Sequence, residues 1–177
     1  MLLDLVEKRR SIRKFTDEKV SEEDLREILT IALHAPTAKN RNPVRYIVIK
    51  DKKRLEDLSN FKVNSAKFLA GADVAIAIVT DSEIAPNTNH QDASIAATYI
   101  LLATADLDLG ATWANVTDSK HESGIPAQEF LHKFFNLEDK FDVECIIGIG
   151  HPAEEKSEKV PFDYSENVFE DLHDKLK

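Results

Sequence analysis

Residues 93–105, ASIAATYILLATA, form the most apolar run of the chain, and Asp92 and Asp106 bracket it. The run is too short for the roughly 20 residues that a membrane-spanning helix needs, so the pattern predicts a buried helix over 91–107 that closes at Gly110. Because this helix is apolar almost all round, it has to be enclosed on every side, and one ordinary domain offers few such places. An interface between two copies of the chain would provide one.

Strand and helix patterns alternate around this run. Three short β-branched or apolar segments have the character of strands: residues 44–49, 74–79 and 143–149. Helical spacing marks four other segments: residues 2–10, 25–33, 55–58 and 127–135. Ser21 and Asp24 resemble a helix cap, and Pro36 ends the pattern of that helix. Apolar strands separated by helices predict a sheet covered on both faces, which is a three-layer α/β or α+β architecture.

Composition narrows the class of protein. The net charge of −9 argues against nucleic acid as a partner, because such binding depends on Lys and Arg at phosphates. Cys145 is the only cysteine, so no intrachain disulfide forms. Residues 1–10 mix leucine with charged residues and lack the apolar core of a signal peptide, so we expect a cytoplasmic protein without a membrane partner. The chain becomes more acidic and polar from Ala153, which predicts a domain over 1–152 and a C-terminal tail over 153–177.

A cationic segment stands out from this acidic background, with five cations within residues 8–14. Guanidinium groups and the hydroxyl of Ser11 suit a phosphate monoester, whereas a solvated helix end that complements the helix dipole is the alternative. Ser11-x-x-Lys14 matches the nucleophile motif of penicillin-recognising enzymes, but the companion motifs are absent from the sequence.

Two further polar segments are candidates for binding. Residues 36–43 lie between a helix and a strand, where they form either a binding loop or a plain turn. Asn64 and Lys67 are spaced to share one helical face, where they either converge on a ligand or stay as surface residues. The pair Gly148-x-Gly150 lacks the third glycine of a dinucleotide fingerprint, and histidine spacing predicts no metal site.

Taken in order, these segments resemble the FMN-dependent nitroreductase family along nearly the whole chain. The resemblance rests on residues 9–15, 21–25, 35–40, 64–67, 110–113 and 148–152. It implies an α+β fold, namely a three-layer α-β-α sandwich with a mainly antiparallel central sheet, in an intertwined homodimer. The apolar helix would lie at the centre of that dimer, and the tail would pack on the partner subunit.

The resemblance also implies roles for individual residues. Arg9, Arg10, Ser11 and Arg13 would hold the phosphate and ribityl chain of FMN, aided by Lys156 or Lys159 from the tail. A loop of the partner subunit would complete the site with Pro36, Thr37, Ala38 and Asn40. The other expected cofactor-binding residues are Asn64, Lys67, Trp113, Asn115, Gly150 and His151.

The implied activity passes hydride from NADH or NADPH through FMN to a nitroaromatic, quinone or similar small-molecule acceptor by a ping-pong mechanism. Asn64 and Lys67 would stabilise the negative charge of the reduced ring, and no protein acid or base is expected to be essential. The sequence departs from the family at Val44, where many members have tryptophan, and at Ala114-Asn115, where Ile-Gly is usual. Two alternatives stay open: a non-catalytic FMN sensor or store, and a specialised reaction such as flavin fragmentation or dehalogenation.

Overall fold

The computed structural model describes residues 1–157, 159–160 and 162–170. Its helices are α1 (Leu2–Lys8), α2 (Glu22–Leu33), α3 (Lys52–Leu58), α4 (Asn89–Asp106), α5 (Ala127–Phe135) and α6 (Tyr164–Asn167). Its strands are β1 (Val44–Ile49), β2 (Val74–Asp81), β3 (Gly110–Asn115) and β4 (Phe141–Gly150), and two short 3₁₀ helices lie at Ala38–Asn40 and Lys67–Gly71. The seven predicted segments and α4 are confirmed to within three residues at either end.

Strand β3 was not predicted. Its residues are mostly small, and β-branched side chains, which mark strands in a sequence, are nearly absent from it. The strand forms because the edge of β4 offers it a complete row of backbone partners, from Gly110 opposite Gly150 to Asn115 opposite Cys145. A pairing between segments about 35 residues apart leaves no local signal in the sequence.

The four strands form one antiparallel sheet in the order β1-β2-β4-β3. The register between β2 and β4 shifts at Ile78 and Val79, where Glu144 of β4 has no direct partner. Such a bulge turns a side chain away from the regular alternation of the strand. It leaves the buried carboxylate of Glu144 beside His90, with His90 Nδ1 and Glu144 Oε2 2.7 Å apart.

Helices cover both faces of the sheet. On one face Val74, Ile76 and Ile78 of β2 pack with α2 and α4, and on the other face Ala75 and Ala77 pack with α3 and α5. Each fully buried valine or isoleucine side chain contributes about 1.5–3 kcal/mol to folding. The predicted three-layer α-β-α sandwich with an antiparallel sheet is therefore confirmed.

Helix α4 is buried on one side only within a single chain. Ala93, Ala97 and Ile100 lie in the core, whereas 37% of Ile95 is exposed and Thr98 faces solvent. Leu102 is half-buried, and residues 95, 98 and 102 follow helical spacing along one flank of the helix. The predicted enclosure of this helix on every side is therefore not met by one chain alone.

The tail begins in close contact with the rest of the protein. The Ala153 N–H donates to the carbonyl of Lys14 at 2.9 Å, and the predicted boundary after residue 152 stays a prediction. Further along, Val160, Phe162 and Tyr164 are strongly exposed. Residues 158, 161 and 171–177 of the predicted tail lie outside the described residues. Among the helices that are described, none has the length and apolarity needed to cross a membrane.

Candidate functional site

The cationic segment runs between two structural elements that hold it in place. Ile12 N–H donates to the carbonyl of Ala111 at 3.0 Å, and Thr112 Oγ1 donates to the carbonyl of Ile12 at 2.5 Å. On the other side Phe15 pairs with Pro152, just after β4. These contacts anchor the segment along the outer edge of β3 and beside the C-terminal end of α4.

A cavity of about 420 Å³ lies near the far end of β3, and a second of about 330 Å³ lies where the cationic segment meets α4. The second cavity brings together three of the predicted phosphate ligands, Arg9, Arg10 and Lys156. Its floor is formed by the last turns of α4, at Thr104 and Ala105. We refer to this cavity as the cationic cavity.

The positive charges of the cationic cavity are only partly neutralised within the chain. Lys8 pairs with Asp108 at 2.7 Å and Lys156 pairs with Glu154 at 2.6 Å. Arg10 Nη1 is buried and has no hydrogen-bond partner among the described residues. A buried donor of a charged group without a partner is costly, and it points to a missing acceptor.

Lys159 reaches the same place from the tail. Its Nζ donates to the carbonyl of Val6. Desolvation lowers the pKa of Lys159, and the neighbouring charges of Arg9 and Arg10 lower it further. Lys159 is exposed and adds its charge from beside the cavity, whose lining includes Arg9 and Arg10. Three neighbouring cations are suited to an anion of more than one negative charge.

Glu154 is a member of this site that the sequence did not reveal. Its Oε1 accepts hydrogen bonds from the N–H groups of Arg13 at 2.6 Å and of Lys14 at 3.2 Å. Only 15% of its side chain is exposed. The hydrogen bond from Lys156, followed by that from the Arg13 N–H, lowers the pKa of Glu154 to about 2. The carboxylate thus ties the cationic segment to the tail.

Glu154→Gln is expected to lower the thermal stability of the cofactor-free protein in a pH-dependent way. Because the pKa is lower in the folded state, the carboxylate stabilises the fold above the unfolded pKa near 4.5, and this stabilisation is lost as the pH falls towards 2. The melting temperatures of wild type and variant should therefore differ at pH 6 and converge near pH 2. A difference that stays constant over this range would contradict the prediction. Exposed Glu166→Gln, in the tail, is the matched control.

The remaining predicted phosphate-side residues are placed differently. Ser11 pairs with Ala111 and is half-buried, whereas the Arg13 side chain is exposed and neither residue lines the cationic cavity. Gly150 is buried where a Cβ atom would lie 3.0 Å from Phe15 Cδ1, so it allows the close approach of the cationic segment. His151 Nε2 lies 3.3 Å from the carbonyl of Lys19, and His151 does not line the cationic cavity. Roles for Arg13 and His151 at a cofactor stay predictions.

A second group of polar residues lies towards the other end of β3. Asn115 ends the strand, and its carbonyl accepts a hydrogen bond from Lys62 Nζ at 2.9 Å. Burial lowers the pKa of Lys62, which sequence patterns did not single out. Asn64 and Lys67 follow in the same segment; both are exposed, and Lys67 Nζ donates to Asn60 Oδ1. Four steps of strand at about 3.4 Å each, from Ala111 in the cationic cavity to Asn115, separate the two by roughly 14 Å.

Trp113 lies between these two groups. It is half-buried in β3 and packs against the core cluster on the α2 and α4 side of the sheet. Its neighbour Asn115 is exposed, and its Nδ2 donates to the carbonyl of Thr117 at 2.8 Å. The structure places both predicted residues on the strand that links the two groups.

The predicted binding loop, residues 36–40, lies away from the cationic cavity. Within it, Lys39 and Asn40 have φ values of 54°, in the left-handed region that few residues other than glycine adopt. Asp92, at the start of α4, accepts the Ala38 N–H at 2.9 Å. Twelve residues of helix separate Asp92 from Thr104 in the cationic cavity, or about 18 Å. One chain therefore does not bring the loop and the cationic segment together.

The sequence model described as the nitroreductase family matches residues 6–65 and 54–151. A Methanothermobacter thermautotrophicus protein provisionally assigned as an NADH dehydrogenase/NAD(P)H nitroreductase is 32% identical over 92% of this chain and 83% of its own length.

Two solved structures share the fold over nearly their whole length. An FMN-dependent nitroreductase from Clostridium difficile R20291 aligns with a TM-score of 0.91 at 36% identity, covering 96% of this chain and 99% of that one. A provisionally assigned nitroreductase from Desulfovibrio desulfuricans, solved in complex with FMN, aligns with a TM-score of 0.80 at 30% identity, covering 97% of each chain. These alignments confirm the predicted fold and extend over both groups of candidate residues.

Proposed function

The chain belongs to the nitroreductase family, and from this premise we propose that it is an FMN-dependent oxidoreductase that passes hydride from NADH or NADPH to a nitroaromatic, quinone or similar acceptor by a ping-pong mechanism. The observation that carries the proposal is the buried Arg10 Nη1, which lacks an acceptor inside a cavity of cations. A phosphate monoester supplies the missing acceptor and the missing negative charge together.

The cationic cavity fits the phosphate of FMN. After the pairs of Lys8 with Asp108 and of Lys156 with Glu154, the cations of Arg9, Arg10 and Lys159 are left to bind it. Guanidinium groups offer paired donors that match phosphate oxygens, so the two arginines would fix the orientation of the group as well as its charge. Ser11 and Arg13 adjoin this cavity along the cationic segment and would bind the ribityl chain.

The ring of FMN would lie at the other end of β3. Lys67 and Asn64 would donate hydrogen bonds to its pyrimidine edge and stabilise the negative charge that reduction places there. Trp113 and Asn115 would line the ring on the strand between these residues and the phosphate. No protein acid or base is assigned to the reaction, since binding, orientation and charge stabilisation are the contributions expected of the chain.

A second copy of the chain would complete the site. The loop of residues 36–40 lies about 18 Å from the cationic cavity along α4, so it would contact the FMN of the partner rather than its own. Apolar side chains are exposed on α1, at Leu2 and Leu3, and on α4, at Ile95. The exposed apolar residues of the tail, Val160 and Phe162, would pack on the partner as well. A homodimer would bury these surfaces, since exposed apolar patches of this kind mark interfaces.

Flavin binding and turnover test the proposal directly. The purified protein should be yellow or take up added FMN, and the loaded protein should oxidise NADH or NADPH in the presence of a nitroaromatic or a quinone. Failure to bind FMN would contradict the whole proposal. Binding without reduction by either nucleotide would favour the sensor or store, whereas loss of the flavin itself or release of halide during turnover would favour a specialised reaction.

Ile95→Glu is expected to separate the dimer and to weaken FMN binding in the same step. Light scattering should give twice the 19.9 kDa mass of one chain for the wild type and a single-chain mass for the variant. A charge buried at an interface without a partner costs several kcal/mol, so the effect should be close to complete. Lys53→Glu, at an exposed position of α3, is the control that should leave both properties unchanged. A variant that stays dimeric would remove this flank of α4 from the interface.

A further inference from the structure

The loop before β1 has an unusual backbone. Lys39, Asn40 and Asn42 all have φ values between 52° and 54°, and none of them is glycine. Side chains disfavour this region, so three such residues within four positions need restraint from the surrounding structure. Within the loop, Thr37 Oγ1 accepts the Asn42 N–H at 3.0 Å, which closes the turn. At the C-terminal end of the loop, Arg45 Nη1 donates to the carbonyl of Asn42 at 2.8 Å.

Asp92 attaches the N-terminal part of the loop to α4. Its Oδ1 accepts the Ala38 N–H at 2.9 Å, and its Oδ2 lies 3.5 Å from Thr88 Oγ1. Only 2% of Asp92 is exposed, and no Lys, Arg or His among the described residues forms an ion pair with it. The carboxylate lies in the first turn of α4, where the helix dipole favours a negative charge, and its Oδ1 uses that position to fix the Ala38 N–H of the loop.

Asp92 lies on α4 close to the exposed flank of that helix. The exposed flank of α4, which includes Ile95, begins three residues after Asp92. The helix proposed to meet the partner subunit therefore also carries the group that orients the loop. A carboxylate held by a rigid helix positions a backbone group more closely than contacts within a flexible loop do.

We propose that Asp92 is a positioning residue, which holds the Thr37–Asn40 loop so that it meets the FMN bound by the partner subunit. This inference rests on the proposed function. In this role Asp92 touches neither substrate nor cofactor. It acts through the Ala38 N–H, and its loss should change the environment of the flavin ring rather than the binding of the phosphate.

Three variants test the role of Asp92 in the dimeric, FMN-loaded protein. Asp92→Ala should lower FMN affinity about tenfold and change the visible absorption and circular dichroism of the bound flavin. Asp92→Asn should retain most of the affinity and the wild-type spectrum, because its amide oxygen still accepts the Ala38 N–H. Ala38→Pro removes the same N–H from the loop side; Thr37, with φ −127° and ψ 152°, already has the extended conformation that a following proline requires.

The Asp92→Ala and Ala38→Pro variants also show whether the Asp92 carboxylate and the Ala38 N–H act together. If Asp92 acts through the Ala38 N–H, the Asp92→Ala and Ala38→Pro double variant should bind FMN no more weakly than whichever single variant has the lower FMN affinity. Effects that add would overturn the inference, and so would a wild-type spectrum and affinity for Asp92→Ala. Asn89→Ala is the control: Asn89 is buried in the same turn of α4, but its Nδ2 lies 3.4 Å from Thr80 Oγ1 and does not touch the loop.

Failure of the inference can be told apart from failure of the proposed function. If the wild type binds no FMN, the proposed function is wrong and the role of Asp92 falls with it. If the wild type binds FMN, Arg10→Ala weakens binding and Asp92→Ala does not, the function stands and the positioning role is wrong. If Asp92→Ala does not fold, Ala38→Pro decides the outcome by the same readouts.

Discussion

Arg10→Ala is expected to weaken FMN binding by about 1.5–3 kcal/mol, which corresponds to a roughly 10- to 150-fold higher dissociation constant. The guanidinium is half-buried and its Nη1 has no partner among the described residues, so the full strength of a charged hydrogen bond to phosphate is available to the cofactor. Titration of the cofactor-free protein with FMN, followed by flavin fluorescence, measures the change.

Arg10→Ala should weaken FMN binding but should not destabilise the cofactor-free protein. In the cofactor-free protein Arg10 repels Arg9 and Lys159, so its removal should leave the melting temperature unchanged or raise it, most clearly at low salt. Arg26→Ala removes an exposed arginine of α2 outside the cationic cavity and should alter neither property. Unchanged FMN affinity in Arg10→Ala would show that the cationic cavity does not bind the phosphate.

Gly110→Ala is expected to destabilise the protein by about 2–3 kcal/mol, a drop in melting temperature of roughly 4–12 °C. A Cβ atom at Gly110 would lie 2.7 Å from Ile12 Cγ2 and 2.8 Å from Ile12 Cβ. Ile12 cannot withdraw easily, because its N–H and carbonyl are both bonded to β3. The variant should push the cationic segment away from the strand and therefore weaken FMN binding as well.

Gly71→Ala is the matched control for this substitution. Nothing lies within 4 Å of a Cβ atom at Gly71, so the same chemical change should shift the free energy of unfolding by less than about 0.5 kcal/mol. Thermal denaturation of both variants, with and without FMN, separates the packing effect from the effect on the site. Equal stability of the two variants would show that the segment does not pack on β3 as described.

Elements with a strong local pattern were predictable from the sequence. Helix α2 is an example: the Ser21 hydroxyl caps it by accepting the Asp24 N–H at 3.0 Å, and Leu25, Ile28 and Ala32 recur on its buried face. Strand β3 could not be predicted, because its small residues become a strand only when β4 lies beside them. Its absence from the prediction did not affect the fold class, which the apolar strands and the family resemblance already indicated.

Some residues of the candidate site were likewise predictable from the sequence, and others were not. Arg9, Arg10 and Lys156 were predicted from clustered charge and from the resemblance, and the structure brings them into one cavity. Glu154 and Asp92 were not predicted as site residues. Each acts through a backbone N–H that is distant in sequence, 141 residues away for the contact of Glu154 with Arg13 and 54 for that of Asp92 with Ala38. Single acidic residues carry no pattern that would reveal such contacts.

The sequence by itself determined the layered fold, the family and the presence of a strongly cationic segment, because periodicity, motif order and charge are local properties of the chain. Only the tertiary structure decided which cations remain without a partner, which carboxylates hold the segment and the loop, and that the loop and the cationic cavity lie at opposite ends of α4. The apolar run of residues 93–105 shows the difference most clearly. Its composition required burial, but only packing in three dimensions showed that one chain covers a single side and leaves the flank of Ile95 exposed.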